Sequence, residues 1–308
     1  MTPVGRFAPS PTGRMHLGNV YCALLSYLSV KSQGGKWILR IEDLDPDRSR
    51  PEFSNLIEDD LHWLGLYWDE GGTKGGPRGP YFQQRRTDIY AQVYQLLQSD
   101  IYPCFCSRAD LLAASAPHAA DGRAIYAGTC RDLSPQRVAQ LQQCRKPAFR
   151  LKLNETDICF TDGHYGVQSA RLPQDCGDFV VRRADGVFAY NLAVVADDHL
   201  MEVSQVVRGV DLLPVTPEQI YLYRRLGWKE PEYFHIPLLV DASGRRLCKR
   251  NKDLELGALR SAGIPPQRVL GDLGYWAGLL PERKPASLQD LLERFDWSMV
   301  PTGNVVVG

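Results

Sequence analysis

RFAPSPTGRMHLGN, residues Arg6 to Asn19, sets the fold of this chain. Its leading edge, Val4 to Ala8, is an apolar run of a length that suits a short buried strand, and Pro9, Pro11 and Gly13 then break the run into a turn. From Leu17 onward the apolar residues Val20, Ala23, Leu24, Tyr27 and Leu28 recur at three- and four-residue spacing, which predicts a helix that stops at Gly34-Gly35. Lys36 to Ile41 (KWILRI) reads as a second strand. Strand, turn, helix and strand in that order form a βαβ unit, the building block of a parallel sheet, so the expected class is α/β with a Rossmann-like sheet.

Outward from this unit, Pro51 to Leu64 reads as a helix with proline at its start and Gly65 just past its end. Gly71 to Gly79 is a glycine-rich loop and Thr87 to Gln98 a further helix. Tyr102 to Leu151 has a different texture, with clustered cysteines, an alanine-rich stretch around Pro117 and then Cys130, and it reads as an insertion into the main sheet. Gly177 to Val181 and Val187 to Val195 resume strand and helix patterns, Gln219 to Leu226 is helical, and helical segments run from Lys252 to about Phe295. The expected division is residues 1–101 and 177–243 as two halves of one sheet domain, 102–176 as the insertion, and 244–308 as a loop followed by a helical segment.

The bulk numbers fit such a protein. With 308 residues, 44% of them hydrophobic, the chain can bury a sizeable core. Lys plus Arg and Asp plus Glu are both 36, so a nucleic-acid surface would have to be local rather than global. No apolar run long enough for a bilayer and no export signal stand out, so a cytoplasmic protein with reduced thiols, not disulfides, is expected.

The turn at Pro9 to Asn19 joins the carboxyl end of a strand to the start of a helix, where open α/β sheets bind ligands and where unpaired N–H groups and the helix dipole suit phosphates. Gly18 lets a base or ribose approach the backbone. His16 and Asn19, three residues apart on one face, can both donate to phosphate oxygens as charge builds up. The plainer reading is that Gly13 makes only a turn and His16 only a helix cap.

These residues resemble the HIGH-type motif of class I aminoacyl-tRNA synthetases in its glutamyl form. RIEDLD (Arg40 to Asp45), AYNLAVVADDHLMEVSQVVRGVDLL (Ala189 to Leu213) and GRRLCKR (Gly244 to Arg250, similar to the KMSKS-type loop) follow in that family's order. The resemblance implies an ATP-dependent ligase that forms glutamyl-adenylate. It places Arg6, Ala8, Ser10, Glu42, Tyr190 and Arg208 in the amino-acid pocket, with Glu42 suited to the α-amine and Arg208 or Arg6 to the side-chain carboxylate. It assigns ATP to His16, Gly18, Asn19 and Lys249, and the charge-neutralising role to His16, Asn19 and Lys249, with Mg²⁺ bridging the phosphates. Arg246 and Cys248 depart from the usual loop, the latter losing a hydroxyl.

Only 58 residues follow Arg250, fewer than the anticodon-binding region of full glutamyl enzymes requires. With RGVDLL, LGWKEPEYFHIPLLVD and IEDLDPDR this makes the resemblance closest to the glutamyl-Q tRNA(Asp) synthetases, which implies queuosine on tRNA(Asp) as acceptor and a monomer as the working state. A truncated glutamate–tRNA ligase charging a tRNA 3′ end is the alternative, and a non-catalytic RNA-binding relative a remote one. Basic residues Arg245, Arg246, Lys249, Arg250 and Lys252 form a cluster that can follow a phosphate backbone, whereas the pairs Arg182-Arg183 and Arg224-Arg225 read better as solvated charge. Cys104, Cys106 and Cys130 are potential metal ligands; the C-x-C…Y-x₃-C arrangement resembles the glutamyl-Q zinc site, with Tyr126 as fourth ligand of one structural Zn²⁺. Cys22, Cys144, Cys159, Cys176 and Cys248 are expected to be packing residues.

Overall fold

The structure, a computed structural model, describes residues 2–107, 109–111, 125–245, 247 and 255–307. Its strands are β1 (Val4–Phe7), β2 (Lys36–Leu39), β3 (Glu70–Gly71), β4 (Ile101–Cys104), β5 (Ala148–Leu151), β6 (Thr156–Asp162), β7 (Gly166–Leu172), β8 (Val180–Arg182), β9 (Gln205–Gly209), β10 (Glu232–Ile236), β11 (Leu239–Val240) and β12 (Val305–Val306). The central sheet has the order β10-β9-β1-β2-β3 and is parallel throughout.

Both faces of this sheet are covered, which explains why its strands are apolar runs and not alternating ones. On β2, Trp37 and Leu39 point into one core with Leu24 and Leu28 of the first helix, Leu61, and Leu270 and Leu273 from the carboxyl-terminal helices. Ile38 points into the other, with Val206, Tyr233, Leu192, Ile220 and Tyr90. The first helix spans Leu17–Lys31, as its periodicity predicts, and Gly34 beyond it takes φ +66°. Gly71 is required at its place: φ is +117°, and a Cβ there would sit 2.0 Å from the Leu39 carbonyl oxygen.

A second sheet, β4-β5-β8, is antiparallel, and the antiparallel β6–β7 hairpin lies between β5 and β8 in the chain. The strand expected at Gly177 to Val181 is β8, Val180–Arg182, and it pairs with β5 rather than with the parallel sheet. An apolar Val-Val pair signals a buried strand but not its neighbour, which depends on long-range pairing. The helix expected from Val187 runs instead over Tyr190–Leu200, and that expected from Gln219 begins at Thr216. After the helices Leu256–Ser261, Pro266–Trp276 and Leu288–Arg294, the chain adds β12, which pairs in parallel with β11. No described helix is long and apolar enough to cross a membrane.

Candidate active site

A cleft of about 440 Å³ opens at the carboxyl ends of β1, β2, β9 and β10. Arg6, Ala8, Ser10, His16, Gly18, Asn19, Glu42, Tyr190 and Arg208 all line it. Residues far apart in sequence meet here because each follows or ends a strand of the same sheet or begins an adjoining helix. Lys249 lies outside the described residues, as do Arg246, Cys248, Arg250 and Lys252. The described residues on either side of it approach the site: Leu247 lines the cleft, and Glu255 forms a bridge with His16.

His16 caps the first helix, as the plainer reading of it expects, and it also lines the cleft. Its Nδ1 accepts from the Gly18 N–H at 3.1 Å, while its own N–H donates to Asn19 Oδ1 at 3.2 Å. These bonds decide which atoms are left as donors. With Nδ1 an acceptor, the neutral ring carries its proton on Nε2, and with Oδ1 an acceptor, Asn19 keeps its amide NH₂ for other partners. Gly18 is needed because a Cβ there would come within 2.9 Å of the His16 ring.

Behind the cleft lies a buried charge network. Arg40, fully buried, pairs with Asp198 at 2.5 Å, Glu42 at 3.1 Å and Asp197 at 3.6 Å. Arg6 pairs with Asp198 at 3.3 Å and donates to the Val207 carbonyl at 3.3 Å. Asp197 also takes Arg86 at 2.6 Å, Gln83 at 2.8 Å and the Tyr90 hydroxyl at 2.9 Å. Burial works against the Asp198 carboxylate, but Arg40 and Arg6 outweigh it and hold its pKa below the ordinary value. Glu42 is the opposite case: burial lifts its carboxyl above the ordinary range in spite of Arg40 and Arg6. A cation placed beside Glu42 would relieve that imbalance.

Arg208 differs from Arg6. It is 3% exposed, and its described partners are all neutral: Nε donates to His235 Nε2 at 3.0 Å, Nη1 to Gln219 Oε1 at 2.7 Å and Nη2 to Thr216 Oγ1 at 2.8 Å. The Tyr233 ring lies beneath it at 5.0 Å. No carboxylate forms an ion pair with it among the described residues, so a buried guanidinium facing the cleft has its geometry fixed by neutral groups and no direct carboxylate partner. Arg40, Asp197, Asp198, His235 and Gln219 carry this arrangement and were not singled out from sequence. The adjacent acids Asp197 and Asp198 inside the apolar helix YNLAVVADDHL are the signal that marks them.

At and beyond the end of β4, the sulfurs of Cys104, Cys106 and Cys130 lie within 4.8 Å of one another. A tetrahedral zinc with Zn–S of about 2.3 Å and Zn–O of about 2.0–2.2 Å sets S···S edges near ~3.8 Å and S···O edges of about 3.5–3.7 Å. Cys106 and Cys130 are 3.7 Å apart, and Cys104 Sγ is 3.6 Å from the Tyr126 hydroxyl. Burial opposes the Cys104 thiolate, yet bonds from the Cys106 amide, Tyr126 and Arg150 hold its pKa below the ordinary value, whereas burial and the neighbouring sulfur push Cys106 up to about 12. Crowding these acidic groups together opposes their joint deprotonation, and a divalent cation among them would favour the deprotonated, ligating forms. This donor set fits a metal. Cys144 and Cys159, expected to pack, are instead exposed, while Cys22 is half-buried and lines the cleft. The arginine pairs are tied down: Arg183 to Asp45 and Asp185, Arg224 to Glu230, and Arg225 to Asp100.

A family model described as tRNA synthetases class I (E and Q), catalytic domain, matches residues 4–299. The chain belongs to this family. It is therefore an ATP-dependent ligase of the aminoacyl-tRNA synthetase type. It is 48% identical over 306 residues to the Glutamyl-Q tRNA(Asp) synthetase of Nitratidesulfovibrio vulgaris, covering 98% of this chain and 94% of that protein. The Glutamyl-Q tRNA(Asp) synthetase of Symbiobacterium thermophilum is likewise 48% identical, over 96% of this chain and 93% of its own length. A crystal structure of a glutamate tRNA ligase from Elizabethkingia meningosepticum, in complex with its amino acid, superposes with a TM-score of 0.84 at 30% identity, over 100% of this chain and 67% of that one.

Proposed function

We propose that this protein activates glutamate with ATP in the cytoplasm, without needing tRNA for that step, and then transfers it to the queuosine base in the anticodon loop of tRNA(Asp). The observation that carries the glutamate half is Arg208, a buried cation in the cleft with no carboxylate partner among the described residues. Arg6 is the weaker candidate for the side-chain carboxylate, because Asp198 already neutralises it. Glu42 receives the α-amine and gains a second cation beside Arg40, which alone does not offset the burial of its carboxyl.

With both ends held, the α-carboxylate is free to attack the α-phosphorus of ATP. A P–O bond forms, the bond to pyrophosphate breaks, and negative charge gathers on the phosphate oxygens. His16 Nε2–H and the Asn19 amide are the donors suited to that charge, at the amino terminus of the first helix. Lys249 is assigned the same role. Mg²⁺ arriving with ATP supplies further neutralisation across the phosphates. In the second step a hydroxyl of the queuosine cyclopentenediol attacks the activated carbonyl carbon, and AMP leaves. The queuosine assignment rests on the 48% identity to two glutamyl-Q enzymes over nearly the full length of each. Labelled glutamate incubated with ATP and tRNA(Asp) is expected to label the queuosine-bearing tRNA and not the queuosine-free one. Labelling of a tRNA 3′ end instead would refute the acceptor.

Cys104, Cys106, Cys130 and Tyr126 would hold one structural Zn²⁺, all four positions being filled by protein. Elemental analysis is expected to find about one zinc per chain, and Cys106→Ser to lower that content more than tenfold. Zinc-free protein that resists chelators and melts no lower than the wild type would mean that the cluster is simply buried thiol.

A further inference from the structure

Arg208 is held from behind by two residues in series. His235 Nε2 lies 3.0 Å from Arg208 Nε, and His235 Nδ1 lies 2.6 Å from Asp162 Oδ2. The His235 and Asp162 side chains are both 0% exposed. A guanidinium N–H can only donate, so Nε2 is the acceptor and the single proton of the neutral imidazole sits on Nδ1, aimed at Asp162. Burial, which pushes the His235 pKa down to about 4, favours that neutral form. Asp162 cannot turn away, because Oδ1 accepts from the backbone N–H groups of His164 at 3.0 Å and Tyr165 at 2.8 Å. Asp162 ends β6, so the β6–β7 hairpin is wired to the floor of the cleft.

We propose that Asp162 and His235 are positioning residues for the amino acid: Asp162 sets the His235 tautomer, and His235 fixes the Arg208 plane that receives the substrate's side-chain carboxylate. This rests on the reading of Arg208 as the glutamate contact. Neither residue touches substrate, and the pair contributes by denying Arg208 its alternative orientations.

The test is Asp162→Asn. The backbone N–H groups of His164 and Tyr165 claim the Oδ1 position against the longer bond from His235 N–H to Oδ2 at 3.2 Å, so the new amide keeps its oxygen at Oδ1 and turns its NH₂ toward His235 Nδ1. The imidazole proton is then displaced to Nε2, donor against donor at Arg208 Nε. In pyrophosphate exchange, KM for glutamate is expected to rise roughly 10- to 100-fold while KM for ATP stays within about twofold. His235→Gln offers an acceptor oxygen near the Nε2 position without needing Asp162. It is expected to keep most of the glutamate affinity, and adding Asp162→Asn to it is expected to cost little more. Should Asp162→Asn not fold, His235→Leu replaces it and must raise KM for glutamate well above the His235→Gln value. An unchanged KM for glutamate, or a rise shared equally with KM for ATP, overturns the proposal. Arg208→Ala separates the two layers: if it leaves KM for glutamate unmoved, the reading of Arg208 is wrong. If it raises KM while Asp162→Asn does not, only the positioning role fails.

Discussion

Arg208→Ala is expected to lower kcat/KM for glutamate in pyrophosphate exchange by two to three orders of magnitude (roughly 3–4 kcal/mol), with little change in unfolding free energy. The physical reason is an asymmetry of partners. Among the described residues Arg208 bonds to the His235, Gln219 and Thr216 side chains and weakly to the Leu212 carbonyl, all neutral, so its removal strands no buried carboxylate there. In the complex its removal leaves the substrate's carboxylate in a buried site without a cation. Arg208→Lys restores charge but not the fork that His235, Gln219 and Thr216 hold, so only partial recovery is expected. A loss of activity accompanied by an equal loss of stability would assign Arg208 to the core instead.

Asp198→Ala is the converse, with its largest effect on stability. Asp198 is shared by Arg40 at 2.5 Å and Arg6 at 3.3 Å, both buried, and removing it leaves two guanidiniums with less than their compensating charge. Breaking such a buried pair costs about 3–5 kcal/mol, readable as a shift of the urea midpoint. The pH dependence has a definite sign. The folded-state pKa of Asp198 lies below its ordinary value, so its contribution is complete above about pH 3.9 and is lost as pH falls through the folded value. The wild type is therefore expected to show an acid limb below about pH 4 that is shallower in Asp198→Ala. Equal stability of the two proteins at pH 7 would mean that the network carries no net weight.

Much of the site could be read from the chain because it is built from contiguous turns at strand ends. Arg6, Ala8, Ser10, His16, Gly18 and Asn19 lie on one segment, and Glu42 lies just beyond β2. The residues that escaped are those whose importance comes from pairing across distance. Asp162 and His235 are 73 residues apart, each unremarkable locally, and only the hairpin against β10 joins them. The same limit explains β8, whose two valines predict burial but not the antiparallel partner. Lone cysteines carry no periodicity, so Cys144 and Cys159 gave no sign of lying exposed, whereas the closely spaced Cys104 and Cys106 with Cys130 did mark a cluster. Arg183, Arg224 and Arg225 show why charge runs are poor guides to a nucleic-acid face: each has an acidic partner.

The most direct measurement is ATP–pyrophosphate exchange by the purified protein with Mg²⁺ and no RNA, run separately with each amino acid. The account predicts exchange with glutamate and none with glutamine or aspartate, because the cleft offers a side-chain carboxylate of the right reach the guanidinium of Arg208, whose direct partners among the described residues are neutral. Exchange that required tRNA, or that glutamine supported as well as glutamate, would contradict it.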